Sequence, residues 1–274
     1  MNIVNIYCEV ILLKKYCVLG TDKRSLNLKK FYEDEGKILV DYRDADIIIG
    51  NIPFREDNLE IDGEKLDINN LIKSMKQNNS RLYAGAISCD VTDKLNYEGV
   101  IYLDVLKQEG IAIKNAIPTA DGTIVTIIAN TDFTLHSSNI LVLGFGNIGK
   151  VLSKMLNGMG AKVFCEARNK KDIALIDAMG YNSVKLSNLN EYLDKMDVII
   201  NTIPTVILDK KRLDNVKSSC LIIDLASKPG GVDFEYADKL GIKVIWALAL
   251  PSKVAPKSAA MYIKEVIDEI EKER

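Results

Sequence analysis

The chain is expected to fold as two α/β domains, each built on a mainly parallel sheet. Three observations predict this. The length is 274 residues and 47% of them are hydrophobic, enough for two cores in domains of about 100–150 residues. Short apolar runs alternate with helical patterns, the arrangement that gives parallel sheets. Midway, Ile140-Leu-Val-Leu-Gly144-Phe-Gly146-Asn-Ile-Gly149 leads from an apolar run through G-x-G-x-x-G into a helical pattern. That context is the fingerprint of a dinucleotide-binding strand, turn and helix.

The first domain, over residues 1–118, reads as Rossmann-like or flavodoxin-like. Tyr16 to Gly20 is a strand, and Arg24 to Glu35 is a helix that closes before Gly36. Lys37 to Asp41 and Asp46 to Gly50 are strands. Arg55 to Lys65 is charged, contains Gly63 and reads as loop. Ile68 to Met75 is helical by spacing, and Arg81 to Ile87 and Gly99 to Leu103 are strand-like. Pro118 is expected to break the local structure. Ala120 to Leu135 then forms a long helix whose Ile124, Val125, Ile127 and Ile128 are expected to be buried between the domains.

The second domain, over 119–255, shows six strands: Asn139–Leu143, Lys162–Cys165, Ser183–Leu186, Asp197–Ile200, Leu221–Asp224 and Lys243–Ala247. Six is the count of a full Rossmann sheet. Its first helix carries Ile148, Val151, Leu152, Met155 and Leu156 at i, i+3, i+4, i+7 and i+8. A last helix starts near Pro256, a favoured first-turn residue. Its stripe of Ala259, Tyr262, Ile263, Val266, Ile267 and Ile270 is expected to return residues 256–274 to the first domain, by analogy with two-domain dehydrogenases.

Composition excludes several function classes. The net charge of −2 supplies no basic field for nucleic acid or an anionic membrane. No stretch is expected to reach the roughly 20 apolar residues that span a bilayer. Met1 to Gly20 is interrupted by Glu9, Lys14 and Lys15 and lacks a basic leader, against a signal peptide. Cys8, Cys17, Cys89, Cys165 and Cys220 form no C-x-x-C pair, as expected of reduced thiols in a cytoplasmic protein. No metal site is expected, and His136 is the single histidine.

Gly144 would turn the chain out of its strand, Gly146 would let a pyrophosphate approach the backbone, and Gly149 would let the helix pack on the strand. Free N–H groups at Asn147 and Ile148 open the helix toward the phosphates. An ordinary turn in an α/β protein is the plainer alternative. In Lys162-Val-Phe-Cys-Glu-Ala-Arg168-Asn169, inward Val163 and Cys165 put Ala167 where NAD-selective folds carry an acid. Ala167 with Arg168, and Asn169 beside them, favours the 2′-phosphate of NADP. Glu166 stands one position early, and a register shift of one residue would favour NAD instead.

Asn201, Thr202, Ile203 and Pro204 form a polar turn at a strand's carboxyl end, placed to touch the nicotinamide ribose. Asp224 ends another strand and would bind the nicotinamide or orient a neighbour. Lys228 would hold a substrate carboxylate, with Gly230 and Gly231 allowing close approach; a surface lysine on a loop is the alternative. Thr119 and Thr123 open the long helix, and Lys257 opens the last one. Two anion-seeking helix starts at a cleft between the domains suit a dicarboxylate, although Thr119 also fits an N-cap. His136, near the end of the long helix, is an acid/base candidate or a favourable dipole partner. His136, Asp224 and Lys228 are thus the catalytic candidates.

Together these segments resemble the A subunits of dipicolinate synthases. The residues that carry the resemblance are Val18-Leu-Gly20-Thr-Asp22-Lys-Arg24, Asn115-Ala-Ile-Pro-Thr-Ala-Asp-Gly-Thr123 and Thr131-Asp-Phe-Thr-Leu-His136. Gly144 to Gly149, Asn201-Thr-Ile-Pro204, Asp224-Leu-Ala-Ser-Lys-Pro-Gly-Gly231 and Ala255-Pro-Lys257 continue it. The likeness is strongest from residue 111 onward and thin before 105. Three departures stand out: Thr21 where glycine is frequent, and Asn147 and Lys228 where arginine is usual. The resemblance implies NADP-dependent oxidation of a dihydrodipicolinate-type intermediate, formed from 4-hydroxy-tetrahydrodipicolinate, to dipicolinate. It implies a branch from lysine biosynthesis serving sporulation, in the mother-cell cytoplasm, and a partner B subunit that resembles flavin-binding proteins. A homo-oligomer is compatible with it. The alternatives are another NAD(P)-dependent amino- or hydroxy-acid dehydrogenase, a non-catalytic dinucleotide sensor, or a scaffold protein that needs its partner.

Overall fold

The computed structural model describes residues 14–274, so Cys8 and most of the Met1 to Gly20 stretch lie outside the described residues. The chain divides into two compact units. The first joins Met1–Ile111 to Ala260–Arg274, and the second is Ala112–Ala259.

The first unit runs β1 (Lys15–Val18), α1 (Lys23–Asp34), β2 (Ile38–Leu39), β3 (Ile47–Ile49), β4 (Glu60–Ile61), β5 (Glu64–Lys65), α2 (Ile68–Asn78), β6 (Arg81–Ala84), α3 (Cys89–Glu98) and β7 (Ile101–Asp104). Five strands form a parallel sheet in the order β2-β1-β3-β6-β7. This is the flavodoxin-like order. The sheet is covered on both faces, and alternation assigns its residues. Cys17, Ile48 and Leu82 face a core with Leu71 and Met75 of α2 and Val91 and Leu95 of α3. Tyr16, Ile47, Ile49 and Tyr83 face Leu28 and Tyr32 of α1 and Ile263 and Ile267 near the C-terminus. The Glu271 carboxylate fastens that end, accepting from Lys14 Nζ at 2.8 Å, Arg81 Nη1 at 2.6 Å and Tyr83 Oη.

Two features of this unit depart from the sequence expectation. Residues Arg55 to Lys65 are not all loop, because β4 and β5 pair as an antiparallel hairpin around Asp62 and Gly63. Helix α3 also escapes a periodicity reading, since it buries only Val91 and Leu95.

After α4 (Glu109–Lys114), the second unit holds α5 (Ala116–Asn130), β8 (Asn139–Leu143), α6 (Asn147–Gly158), β9 (Lys162–Glu166), α7 (Lys170–Ala178), β10 (Asn182–Val184), β11 (Val198–Asn201), α8 (Lys210–Leu213), β12 (Leu221–Asp224), α9 (Phe234–Lys239), β13 (Val244–Trp246) and α10 (Leu250–Val254). Helix α11 (Pro256–Lys272) ends the chain. Six parallel strands lie in the order β10-β9-β8-β11-β12-β13. This is the Rossmann order 3-2-1-4-5-6. Ile140, Val142, Val163, Cys165, Ile200 and Ile223 pack under α5 and α6. Leu141, Leu143, Ile199 and Ile222 face Leu189, Leu193, Leu213 and Ala237 on the other side.

Pro118 does not break the chain. It stands in the first turn of α5, where an amide N–H has no helical partner to lose, and the helix ends at Asn130 rather than Leu135. Residues Gly110–Asn130 are long and apolar enough to cross a bilayer by length and composition, which the sequence expectation denied. Half of that stretch is buried within the fold, and Ala120, Ile124 and Ile127 belong to the second unit's core.

Candidate functional site

In the second unit the strand order reverses between β8 and β11, and ligands of open α/β sheets bind at such a switch point, beyond the carboxyl ends of the strands. Register sets the loops level there. Leu143 pairs with both Glu166 and Asn201, and Asn201 pairs with Asp224.

The glycine turn departs from Leu143. Gly144 has φ +90°, and a Cβ on Gly149 would stand 2.1 Å from the Gly144 carbonyl oxygen, so close packing of α6 on the strand requires glycine there. Gly146 is the N-cap of α6 and supplies no side-chain acceptor; the space around it is open. Asn147 is exposed, and Ile148 partly so. By contrast, Asp22, Asp67, Asn169, Asp209 and Asp233 cap α1, α2, α7, α8 and α9 with their own side chains. The first-turn amides of α6 are thus left for an external acceptor, with the helix dipole behind them. Lys150, which the sequence reading passed over, adds a cation one turn on. Its Nζ lies 5.5 Å from the Phe145 ring centroid and 3.4 Å from Asp172.

Alternation along β9 follows the core. Val163, Cys165 and Ala167 join one cluster with α5 and α6, so Glu166 turns to the other face. Glu166 is 1% exposed and its Oε1 has no hydrogen-bond partner. Burial raises its carboxyl above the usual carboxylate range, opposed by Arg168, the Gly144 amide and Arg212. Arg168 stands exposed just past the strand. Asn169 is occupied as a cap, its Oδ1 accepting from Asp172 N at 2.7 Å and its Nδ2 donating to Asp172 Oδ2 at 2.6 Å.

The other turns form a closed brace rather than open ligand contacts, and this corrects several expectations. Asn201 and Asp224 are both fully buried. Asn201 Nδ2 donates to Asp224 Oδ1 at 2.8 Å and to the Ile203 carbonyl at 3.0 Å, while Asn201 Oδ1 accepts from Ile203 N at 3.1 Å. Asp224 also accepts from Ala226 N at 3.0 Å and Gly231 N at 2.7 Å. With all these partners inside the fold, both side chains are engaged by the protein itself, and Asp224 positions the loop. The glycines serve the same brace. A Cβ on Gly231 would stand 2.0 Å from Asn201 Nδ2, and one on Gly230 2.8 Å from Asp224 Oδ2. Thr202 Oγ1 is spent on the Leu143 carbonyl at 2.9 Å. Ile203 is partly exposed and Pro204 exposed at the turn. Trp246, also passed over in the sequence, pins the loop by donating from Nε1 to the Ala226 carbonyl at 2.8 Å.

Thr119 and Thr123 are buried, and each hydroxyl bonds back onto its own helix, to the carbonyls of Asn115 and Thr119, both at 2.8 Å. Thr119 is therefore not an N-cap, and both hydroxyl donors are spent within the helix. Lys228 and Lys257 are exposed, on the Asp224–Gly231 loop and in the first turn of α11. His136 is not on α5 at all. It lies in the loop before β8 and packs against Gly160, which precedes β9, at the amino end of the sheet. The glycine turn and the brace lie at the carboxyl end, so the structure does not bring His136 to them. Burial pushes the Cys17, Cys165 and Cys220 thiols up to about 12, which leaves them inert. Among the described residues no His, Cys, Asp and Glu group is placed to hold a metal ion.

Residues 127–229 match the NAD binding domain of the D-isomer specific 2-hydroxyacid dehydrogenases. The A subunit of dipicolinate synthase from Bacillus subtilis (strain 168) is 40% identical over 166 residues, which are 61% of this chain and 56% of that protein. The crystal structure of the A subunit of dipicolinate synthase from Bacillus halodurans superposes with a TM-score of 0.85 at 30% identity, over 94% of this chain and 97% of that one. The crystal structure of its Bacillus subtilis counterpart superposes with a TM-score of 0.86 at 28% identity, over 95% and 96%. With identity at this level across nearly the whole of both chains, the protein belongs to the family of dipicolinate synthase A subunits.

Proposed function

We propose that the chain is an NADP-dependent oxidoreductase that converts a dihydrodipicolinate-type intermediate, formed from 4-hydroxy-tetrahydrodipicolinate, to dipicolinate, alongside a B subunit. The observation that carries this reading is the uncapped first turn of α6, set at the switch point of a Rossmann sheet in a chain of this family. Its amides fit a pyrophosphate, and the open space at Gly146 admits one. The bound dinucleotide would supply the hydride acceptor. The residues of the chain would hold and orient it: α6 amides at the phosphates, and a turn held level with them by the Asn201–Asp224 brace.

The preference for NADP is supported by Ala167, which packs inward and leaves that strand end without an acid, and by the exposed Arg168 beside it. Glu166 is sealed on the opposite face, which argues against its holding a ribose. The relatives are A subunits by name, which supports a partner chain; a role in sporulation, within the cytoplasm, is part of the same proposal. Lys228 and Lys257, both exposed, remain the second unit's candidates for a substrate carboxylate.

The test mixes the purified chain with NADP and freshly generated 4-hydroxy-tetrahydrodipicolinate, with and without a B subunit. The reading expects reduced cofactor to appear in step with pyridine product. Product only with the partner would make the chain a dependent component. Dinucleotide binding with no product in either mixture would overturn the dipicolinate reading and leave a sensor or another dehydrogenase.

A further inference from the structure

The first unit has a switch point of its own. Its sheet order reverses between β1 and β3, so the turns after those strands, Leu19 to Asp22 and Gly50 to Phe54, stand at the carboxyl ends where open α/β sheets bind ligands. A guanidinium is buried there. Arg24, on the first turn of α1, is 6% exposed, and its Nη2 donates to the Ile52 carbonyl at 2.5 Å. Its ion pair is a long one, 4.0 Å to Asp22, and Asp22 is already engaged as the cap of α1 by the amides of Arg24 and Ser25 and by Ser25 Oγ. A buried arginine is ordinarily held by a carboxylate at hydrogen-bond distance, often through two parallel bonds. Here that partner is lacking among the described residues.

A second observation comes from the facing turn. Asn51 is 7% exposed, and its amide nitrogen is spent on the carbonyls of Pro53 and Asn58 at 3.2 and 3.1 Å. Its Oδ1 is buried with no partner. The Asn51 side chain stands against the β1 turn, since a Cβ on Gly20 would lie 3.0 Å from Asn51 Cβ. A buried cation short of an anion and a buried acceptor short of a donor thus occupy the same switch point. Arg24 keeps one carbonyl and a long ion pair, Asn51 Oδ1 is left unpaired, and an orphaned acceptor of this kind is costly unless a ligand completes it.

We infer that the first unit carries a carboxylate subsite, with Arg24 as the anchoring cation and Asn51 Oδ1 accepting a hydroxyl or ring N–H of the same small molecule. The ligand class, a small dicarboxylate with a ring donor, rests on the dipicolinate reading; the subsite itself rests on Arg24 and Asn51. The planar fork of Arg24 suits a carboxylate, and the Asp22 cap excludes a dinucleotide phosphate from the same turn.

Calorimetry on the full chain tests this, with 4-hydroxypyridine-2,6-dicarboxylate, which carries a donor for Asn51 Oδ1, and pyridine-2,6-dicarboxylate, pyridine-2-carboxylate and succinate, which carry none and read Arg24 alone, as probes and NADP as a control for the second unit. Arg24→Gln is expected to weaken dicarboxylate binding about ten-fold or more, with NADP affinity unchanged. Arg24→Lys, which keeps the charge and loses the fork, is expected to fall between. Unchanged dicarboxylate affinity in a folded Arg24→Gln chain, or no carboxylate binding by the unaltered chain at millimolar concentration, would overturn the subsite. Arg24-dependent binding of pyridine-2-carboxylate or succinate, without the dicarboxylate, would keep the subsite and sink the dipicolinate reading. If Arg24→Gln does not fold, a crystal of the unaltered chain grown with pyridine-2,6-dicarboxylate decides. A carboxylate within hydrogen-bond reach of Arg24 supports the inference, and a ligand held elsewhere overturns it.

Discussion

In the first unit β1 leaves its sheet through Gly20 and enters α1; in the second, β8 leaves through Gly144 and enters α6. Both glycines have φ +90°. Both turns sit at a switch point. The junctions differ in what meets the first helical amides. Asp22 takes those of Arg24 and Ser25 in α1, whereas Gly146 offers nothing to those of α6. A glycine turn into a helix is therefore not by itself a phosphate site. The cap decides, because an aspartate both fills the donors and sets a negative charge where phosphate would lie. The first unit instead buries a cation behind its cap.

The comparison can be broken most severely at the second unit's brace. Asp224→Ala leaves one of the two N–H groups of Asn201 Nδ2, and Ala226 N and Gly231 N, without an acceptor. Each orphaned donor costs about 1–3 kcal/mol, so a loss of about 3 kcal/mol or more is expected. Trp246 is the sole tryptophan and its ring lies 5.0 Å from that of Phe234, tilted by 33°, in this unit. Its fluorescence during urea unfolding therefore reads the second unit alone, and a midpoint unmoved by the substitution would show the brace to be idle. A smaller effect is expected at Arg168→Ala, about ten-fold weaker NADP binding with NAD affinity unchanged. Equal losses for the two dinucleotides would remove Arg168 from the 2′-phosphate.

Removing the cap sharpens the contrast from the other side. Asp22→Ala is expected to cost about 1 kcal/mol, seen as faster amide exchange in the first turn of α1, without creating dinucleotide affinity in the first unit. Unaltered exchange there would mean that Asp22 does not hold the turn. The smallest effect depends on pH. The folded chain raises the Glu166 pKa from its ordinary value of 4.5. The native state then binds more protons than the unfolded state between that value and the raised one, so stability falls as pH rises through the window. Glu166→Gln removes this loss. The variant is expected to gain on the unaltered chain as pH rises above about 4.5, and a difference in midpoint that stays constant as pH rises would contradict the burial of this carboxyl.

Fold and site were legible to different depths. The six strands of the second unit follow from continuous apolar runs such as Val198 to Ile200, because strands buried on both faces leave such runs. Helices α3 and α7 were not legible, since α3 buries two residues and α7 only Ile176, too few to set a period. At the site, the glycine spacing revealed the turn, and alternation along β9 put Glu166 opposite Ala167. Polar side chains near it were misread because sequence shows residue type and not partner. Asn201, Asp224 and the two glycines look like ligand contacts, yet they satisfy one another. Thr123 looks available, yet its hydroxyl bonds its own helix. His136 shows the remaining gap, because a residue near a helix end in sequence lies at the far end of the sheet once the helix stops at Asn130. Arg24 gave only a motif match, and its burial has no sequence signature.

Giving the second junction the first one's cap tests the central claim most directly. Gly146 has φ −77°, a conformation open to any residue, and a Cβ there meets nothing within 4 Å. Gly146→Asp therefore places a capping carboxylate at the start of α6 without a clash. Calorimetric titration with NADP is expected to show affinity reduced about a hundred-fold or more, with the tryptophan-monitored stability of the second unit equal or higher. NADP binding by Gly146→Asp as tight as in the unaltered chain would contradict the account, because the α6 amides would then not be what holds the dinucleotide.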